Sequence, residues 1–242
     1  MLQLEQVSKA FQNKSILENI SFTVEEGEFV TLIGPSGSGK STLFSLIGGL
    51  LSPDGGDIQL KQQSILNQTG FISYMPQEDT LFPWRTVVQN ILLGQELYGK
   101  VNQIKAQEMI DKAGLEGFTH AYPHELSGGM KQRVSFIRSL LSPQRLLCLD
   151  EPFSALDELT RMDMQQWLLS IWKQLNSTIL FVTHHIEEAL LLSDKIIVLT
   201  ESPATVKDIL HIPFSRPRTT SLLLTEEFVM WKKHLLRMIW TS

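Results

Sequence analysis

The stretch Gly34-Pro35-Ser36-Gly37-Ser38-Gly39-Lys40-Ser41 fits G-x-x-x-x-G-K-[ST] and stands between two apolar runs, Phe29 to Ile33 and the helix-like Leu43 to Leu51. A strand, a glycine-rich turn and a helix in that order read as a phosphate-binding loop. The glycines let the backbone curl until successive N–H groups converge on one anion, and the helix opening behind them adds the positive end of its dipole. Lys40 is placed to reach β- and γ-phosphates, and the Ser41 hydroxyl to ligate Mg²⁺. The expected fold class is therefore α/β, a phosphate-loop nucleotide core on a mainly parallel sheet.

Composition narrows the partners. The chain has 242 residues, 43% hydrophobic and 19% charged, enough for one good core or a core with a lobe. A net charge of −5 argues against a nucleic-acid partner, which calls for a basic face. The single Cys148 lies in an apolar run, which leaves no disulfide framework and fits a reducing, cytoplasmic compartment. Met1 to Lys9 shows no basic segment followed by an apolar core, and no window reaches the roughly 18 apolar residues of a membrane span. Any membrane role is expected to be peripheral.

Leu2 to Val7 and Ile20 to Val24 alternate apolar and polar residues and predict a small β layer feeding the buried strand Phe29 to Ile33. Phe11 lies between them, either a core residue or an aromatic face on which a base stacks. Ile58 to Leu60 and Gly70 to Met75 read as further strands, the latter ending at Pro76-Gln77. From Leu81-Phe-Pro-Trp84 the apolar spacing turns helical, through Val87 to Leu93 and Ile104 to Ala113. The expected organisation is one unit of residues 1–242, in which 81–142 is a helical lobe inserted between 1–80 and 143–242.

Leu126-Ser127-Gly128-Gly129-Met-Lys-Gln-Arg133 opens another helix, with Ser127 as N-cap. The N–H groups behind it are either an ordinary cap or a second anion site. Leu146 to Leu149 reads as a buried parallel strand ending in Asp150-Glu151-Pro152. Two acids there are costly to bury without a cation or polar ligand, and in a phosphate-loop protein that ligand is Mg²⁺ with nucleotide. Either the pair is simply solvated at the strand end, or Asp150 orients the Mg²⁺ shell and Glu151 polarises the attacking water. An amphipathic helix with Met164, Leu168, Ile171 and Leu175 on one face follows. The strand Ser177 to Thr183 delivers His184 to the same sheet edge as the loop and the acids, and Lys195 to Leu199 completes the parallel core. A weak strand around Ile209 and a closing helix capped by Thr225, with the stripe Phe228, Trp231, Leu235 and Met238, end the chain.

Phosphate loop, Gln77, Leu126 to Met130, Leu146 to Glu151, Ser154 to Asp157 and His184, in that order, resemble the ATPase subunits of ABC transporters over nearly the whole length. The resemblance implies that Gly34 to Thr42, with Lys40, Ser41 and Thr42 foremost, hold the phosphates of ATP and its Mg²⁺, the metal falling to Ser41, Gln77 and Asp150. It implies that Phe11 stacks on adenine, that Gln77 senses Mg²⁺ and contacts the transport partner, and that His184 contacts the γ-phosphate. By it, Ser127, Gly128 and Gly129 bind the γ-phosphate of a nucleotide held by a second subunit, itself a copy of the chain or a homologous ATPase. Asp157 communicates between sites.

Pro76 to Thr86, Ser127 to Arg133 and Arg216-Pro-Arg218 are most similar to the nitrate, sulfonate and taurine importer group, with relatives handling pyrimidine precursors. His185 stands where that family usually has Asp, and Phe11 where many members have Tyr. The implied assembly is peripheral on the cytoplasmic membrane face, with membrane permease subunits and, indirectly, a solute-binding protein. An exporter ATPase and a soluble, non-transport ABC ATPase are the alternatives.

Overall fold

The computed structural model describes residues 1–175 and 177–240, without the side chains of residues 173, 175 and 240. The expected place of Leu175 on its helix stripe therefore lies outside the described residues.

The strand that precedes the phosphate loop, β3 (Phe29–Ile33), lies inside a six-stranded sheet. To name its neighbours, the first two strands are β1 (Leu2–Phe11) and β2 (Lys14–Val24), followed by β4 (Gly55–Leu60), β5 (Gln63–Ser64) and β6 (Ser73–Met75). The later strands are β7 (Leu146–Asp150), β8 (Thr178–Val182), β9 (Lys195–Leu199) and β10 (Val206–His211). The order is β10-β9-β3-β8-β7-β6, parallel throughout except for β10, which pairs antiparallel to β9 at the edge.

Every residue of β3, β7, β8 and β9 is buried, which is why these strands read as continuous apolar runs rather than alternating ones. The two-residue period sorts their side chains to opposite faces. Leu146, Cys148, Leu180 and Val182 face one cluster, and Leu147, Leu149, Ile179 and Phe181 face the other.

The first cluster is closed by α1 (Lys40–Ile47) and by the antiparallel sheet β2-β1-β4-β5, through Leu2, Leu4, Val7, Ile20, Phe22 and Val24. Truncating a ring such as buried Phe44 to Ala costs about 3–5 kcal/mol. The second cluster is closed by α2 (Val87–Leu97), α3 (Gln103–Lys112), α4 (Gly128–Leu140) and α5 (Glu158–Leu175). Between β6 and β7 the chain is entirely helical or loop, with short 3-10 turns at Glu116–Phe118 and Pro123–Glu125. A third cluster packs α6 (Ile186–Leu192) and α7 (Glu226–Trp240) beside Ile33, Ile196 and Val198. Phe228 and Leu235 are buried there and Trp231 and Met238 half-buried, the packing expected of that stripe. Thr225 Oγ1 accepts from Phe228 N at 3.3 Å, the expected cap. Among the described residues no helix is long and apolar enough to cross a membrane.

Several elements differ from their sequence outlines. β1 runs on to Phe11 and β2 begins at Lys14, so Lys9 to Phe11 is paired strand, not a connection. The alternation hides this because register shifts fall around Gln6 and Asn19, both at positive φ, and each shift reverses the apolar phase. The strand expected over Gly70 to Met75 shrinks to Ser73–Met75. The helices expected to stop at Leu93 and start at Ile104 run to Leu97 and from Gln103.

Candidate active site

Four of the parallel strands, β3, β6, β7 and β8, carry at their carboxyl ends, on one edge of the sheet, the polar segments to which they hand over. β3 leads into the phosphate loop, β6 into Pro76-Gln77, β7 ends in Asp150 followed by Glu151, and β8 leads through Thr183 to His184. An open cleft of about 730 Å³ results, lined by Phe11, Gly34, Ser36, Gly37, Gly39, Lys40, Ser41, Thr42, Gln77, Asp150, Glu151 and His184.

Gly39 caps α1 at φ 85°, and a Cβ there would stand 2.8 Å from both Ile16 Cγ2 and Leu17 Cδ2, so glycine is required on two counts. Lys40 is the first helical residue. Its ammonium donates to Gly34 O and Pro35 O, each at 2.9 Å, and to Ser38 Oγ at 3.2 Å. Burial lowers the Lys40 pKa, against the raising pull of Glu151 and Asp150.

Asp150 is buried at the end of β7, and burial is the first cause of its raised pKa, which Glu151 also raises. A hydrogen bond from Ser41 and the charge of Lys40 oppose that shift. Its Oδ2 is buried without a hydrogen-bond partner. An orphaned carboxylate oxygen beside a serine hydroxyl is a hard oxygen donor set, of the kind that suits Mg²⁺.

Glu151 sits at φ 48°, in the left-handed region. Its Oε2 accepts from Gln77 Nε2 at 3.2 Å, and its Oε1 lies 3.3 Å from His184 Nδ1. His184 packs on His185, the ring centroids 4.0 Å apart. Burial is the first cause of the lowered His185 pKa, with His184 and Arg161 adding to it. Phe11 is 44% exposed beside the loop, with Lys9 Nζ 5.5 Å from its ring, so it is not core. Trp84 is 69% exposed and stacks on Phe82.

Ser127, Gly129 and Asp157 stand outside this cleft, and Gly128 lines a neighbouring one. Ser127 Oγ accepts from Met130 N at 3.3 Å and caps α4. Gly129 packs against Ala155 O. Asp157 starts α5, its carboxylate accepting from Thr160 N and Thr160 Oγ1, which hold its pKa low. Within one chain, then, the Ser127 helix start does not meet the phosphate loop.

Two tie points escaped sequence reasoning. Gln132 on α4 bonds the segment Glu151 to Ala155. Buried Glu188 on α6 accepts from Thr183 Oγ1 and from Gln165 Nε2, with Arg161 3.8 Å away. The available signal was polar residues on buried helix faces, such as Gln132, Ser135 and Ser139 on α4.

The family described as ABC transporter matches residues 17–154. The chain belongs to the ABC transporter family. This ABC protein is 46% identical over 207 residues to the formylaminopyrimidine import ATP-binding protein ThiZ of Halalkalibacterium halodurans, covering 84% of the chain and 81% of the relative. It is 40% identical over 240 residues to the aliphatic sulfonates import ATP-binding protein SsuB of Bacillus cereus, covering 98% and 94%. It also superposes on a dimeric ATP-binding cassette solved in a post-hydrolysis state with ADP and Pi. There the TM-score is 0.77 at 28% identity, over 89% of this ABC protein and 100% of that chain.

Proposed function

We propose that the protein is the ATP-hydrolysing subunit of an ABC importer, two copies of which close over two ATP molecules and drive separate membrane permease subunits. The observation that carries this is the convergence of Lys40, Asp150, Glu151, Gln77 and His184 on one cleft at the phosphate loop. The names of relatives such as ThiZ and SsuB support import, and the ADP- and Pi-bound dimeric neighbour supports hydrolysis by a pair.

In this reading the loop N–H groups of Gly34 to Thr42 and the Lys40 ammonium hold the β- and γ-phosphates, and Phe11 takes the adenine face. Ser41, Asp150 and Gln77 hold Mg²⁺. The ion, when bound, supplies charge neutralisation at the phosphate oxygens. Glu151 polarises the attacking water. As the water oxygen bonds to the γ-phosphorus it gives its proton to Glu151, the bond from the γ-phosphorus to the bridging oxygen breaks, and ADP leaves with that oxygen while phosphate is released. His184 and Gln77 aim the Glu151 carboxylate, and His184 reaches the γ-phosphate. Ser127, Gly128 and Gly129 bind the γ-phosphate of the second chain's nucleotide, and Asp157 communicates between sites.

Residues 81–142 act as the lobe that presents Trp84 to the permease, with Gln77 beside it at the junction with the core. The assembly is peripheral on the cytoplasmic face, with a solute-binding protein acting through the permease. The cargo class is that of the relatives: a sulfonate, taurine or nitrate, or a pyrimidine precursor.

The test is purification of the tagged chain from membranes. An integral permease and a solute-binding protein should accompany it, with hydrolysis stimulated by the loaded binding protein. Recovery with ribosomes or DNA instead of a permease would contradict the reading.

A further inference from the structure

A polar side chain buried on a helix is costly unless its donors and acceptors are all matched. Gln132 is 5% exposed on α4, three residues beyond Gly129, and its amide is matched entirely by one short segment of chain. Nε2 donates to Glu151 O and to Ser154 Oγ, each at 3.0 Å, and Oε1 accepts from Ala155 N at 2.8 Å.

Glu151, at φ 48°, occupies a conformation that a residue with a side chain keeps only where its surroundings over-determine it. Its N–H donates to Val182 O on β8 at 3.0 Å. Its carbonyl accepts from Ser154 N at 3.2 Å and Ser154 Oγ at 3.0 Å, both local to the turn, and from Gln132. Gln132 is thus the link from the Glu151 carbonyl to a different secondary-structure element. The helix that carries it begins at Ser127 to Gly129.

We propose that Gln132 is a positioning residue that locks the Glu151 backbone in its left-handed turn, and ties the helix start serving the partner's nucleotide to the glutamate serving this chain's own. The inference rests on the function proposed above. Small movements of α4, when Ser127 to Gly129 engage the second nucleotide, pass through one side chain to the carboxylate that polarises water. Only an amide of this length serves both directions of hydrogen bonding. A Glu keeps the acceptor for Ala155 N but loses both donors, and a Met fills the volume with neither.

The experiment uses the full chain and compares wild type, Gln132→Met, Gln132→Glu and Glu151→Gln. It measures phosphate release against ATP concentration, equilibrium binding of Mg²⁺-ATP, and thermal unfolding. Both Gln132 variants should lose tenfold to a hundredfold in kcat and keep ATP affinity within twofold of wild type, and both should melt lower, because each leaves buried polar groups unmatched. A side chain with a purely structural role would move affinity together with rate. Gln132→Met turning over within twofold of wild type, while Glu151→Gln is inactive, overturns the inference and leaves the function standing. If Gln132→Met does not fold, Gln132→Glu decides by the same comparison. A fall in its affinity as large as the fall in kcat also overturns the inference. A wild-type chain that neither binds nor hydrolyses ATP overturns the function itself, and the inference with it.

Discussion

His184 Nδ1 stands 3.3 Å from Glu151 Oε1. The contact joins the ends of two parallel strands that are neighbours in the sheet, with Asp150 paired to Val182 just before it. The carboxylate is also held from the other side by Gln77. Glu151→Gln should therefore keep Mg²⁺-ATP binding while lowering hydrolysis by at least ~10²-fold, the range of a lost general base. Lys40→Ala should instead weaken ATP binding itself. Binding titrations beside phosphate-release assays separate the two, and near-normal turnover in Glu151→Gln would remove Glu151 from its role.

Asp150 predicts a pH effect whose sign follows from burial. Its folded pKa is raised, so in the absence of Mg²⁺ and nucleotide the ionised form is the costly one. Its contribution to stability is full below the ordinary Asp value and is lost as pH rises through the raised value. Thermal unfolding of the free protein should therefore show a gain on acidification that is missing in Asp150→Asn. Mg²⁺ binding should run the other way, strengthening as pH rises through that value, because the carboxylate is the proposed ligand. Identical pH profiles for the two proteins would show that Asp150 carries no such penalty.

How much was legible in the sequence depended on whether neighbours or distant partners fixed each residue. β3, β7 and β8 were plain because strands covered on both faces leave unbroken apolar runs, and the glycines and acids that end them cannot sit inside such a run. The ends of β1 and β2 were not, since the shifts around Gln6 and Asn19 break the alternation that marks a strand. Exposure of Phe11 was not readable either, because its neighbours do not say whether an aromatic at that position faces the core or the surface. Gln132 was invisible for a related reason: its partners lie 19 to 23 residues away. His184 was placed correctly at the sheet edge, while its contact with Glu151 needed the fold.

Trp84 stands stacked on Phe82 and mostly exposed, at the start of the helical segment. An exposed aromatic stacked on a half-buried one is a partner surface in this account. Trp84→Ala should change the stability of the isolated chain by no more than about 0.5 kcal/mol, the usual range for a surface site, and leave ATP binding intact. Assembly with the permease should weaken. Co-purification and transport at wild-type levels would show that Trp84 lies outside the interface.

The central claim is that each nucleotide is shared between two chains, because Ser127 to Gly129 stand outside the cleft that the phosphate loop lines. Its most direct test is a mixed dimer of Lys40→Ala with Ser127→Arg, isolated through two different affinity tags. Each homodimer carries a lesion in both sites. In the mixed species one site collects both lesions and the other none. The account predicts one tight ATP per mixed dimer, with near-normal affinity. A mixed dimer with no tight ATP site would contradict it.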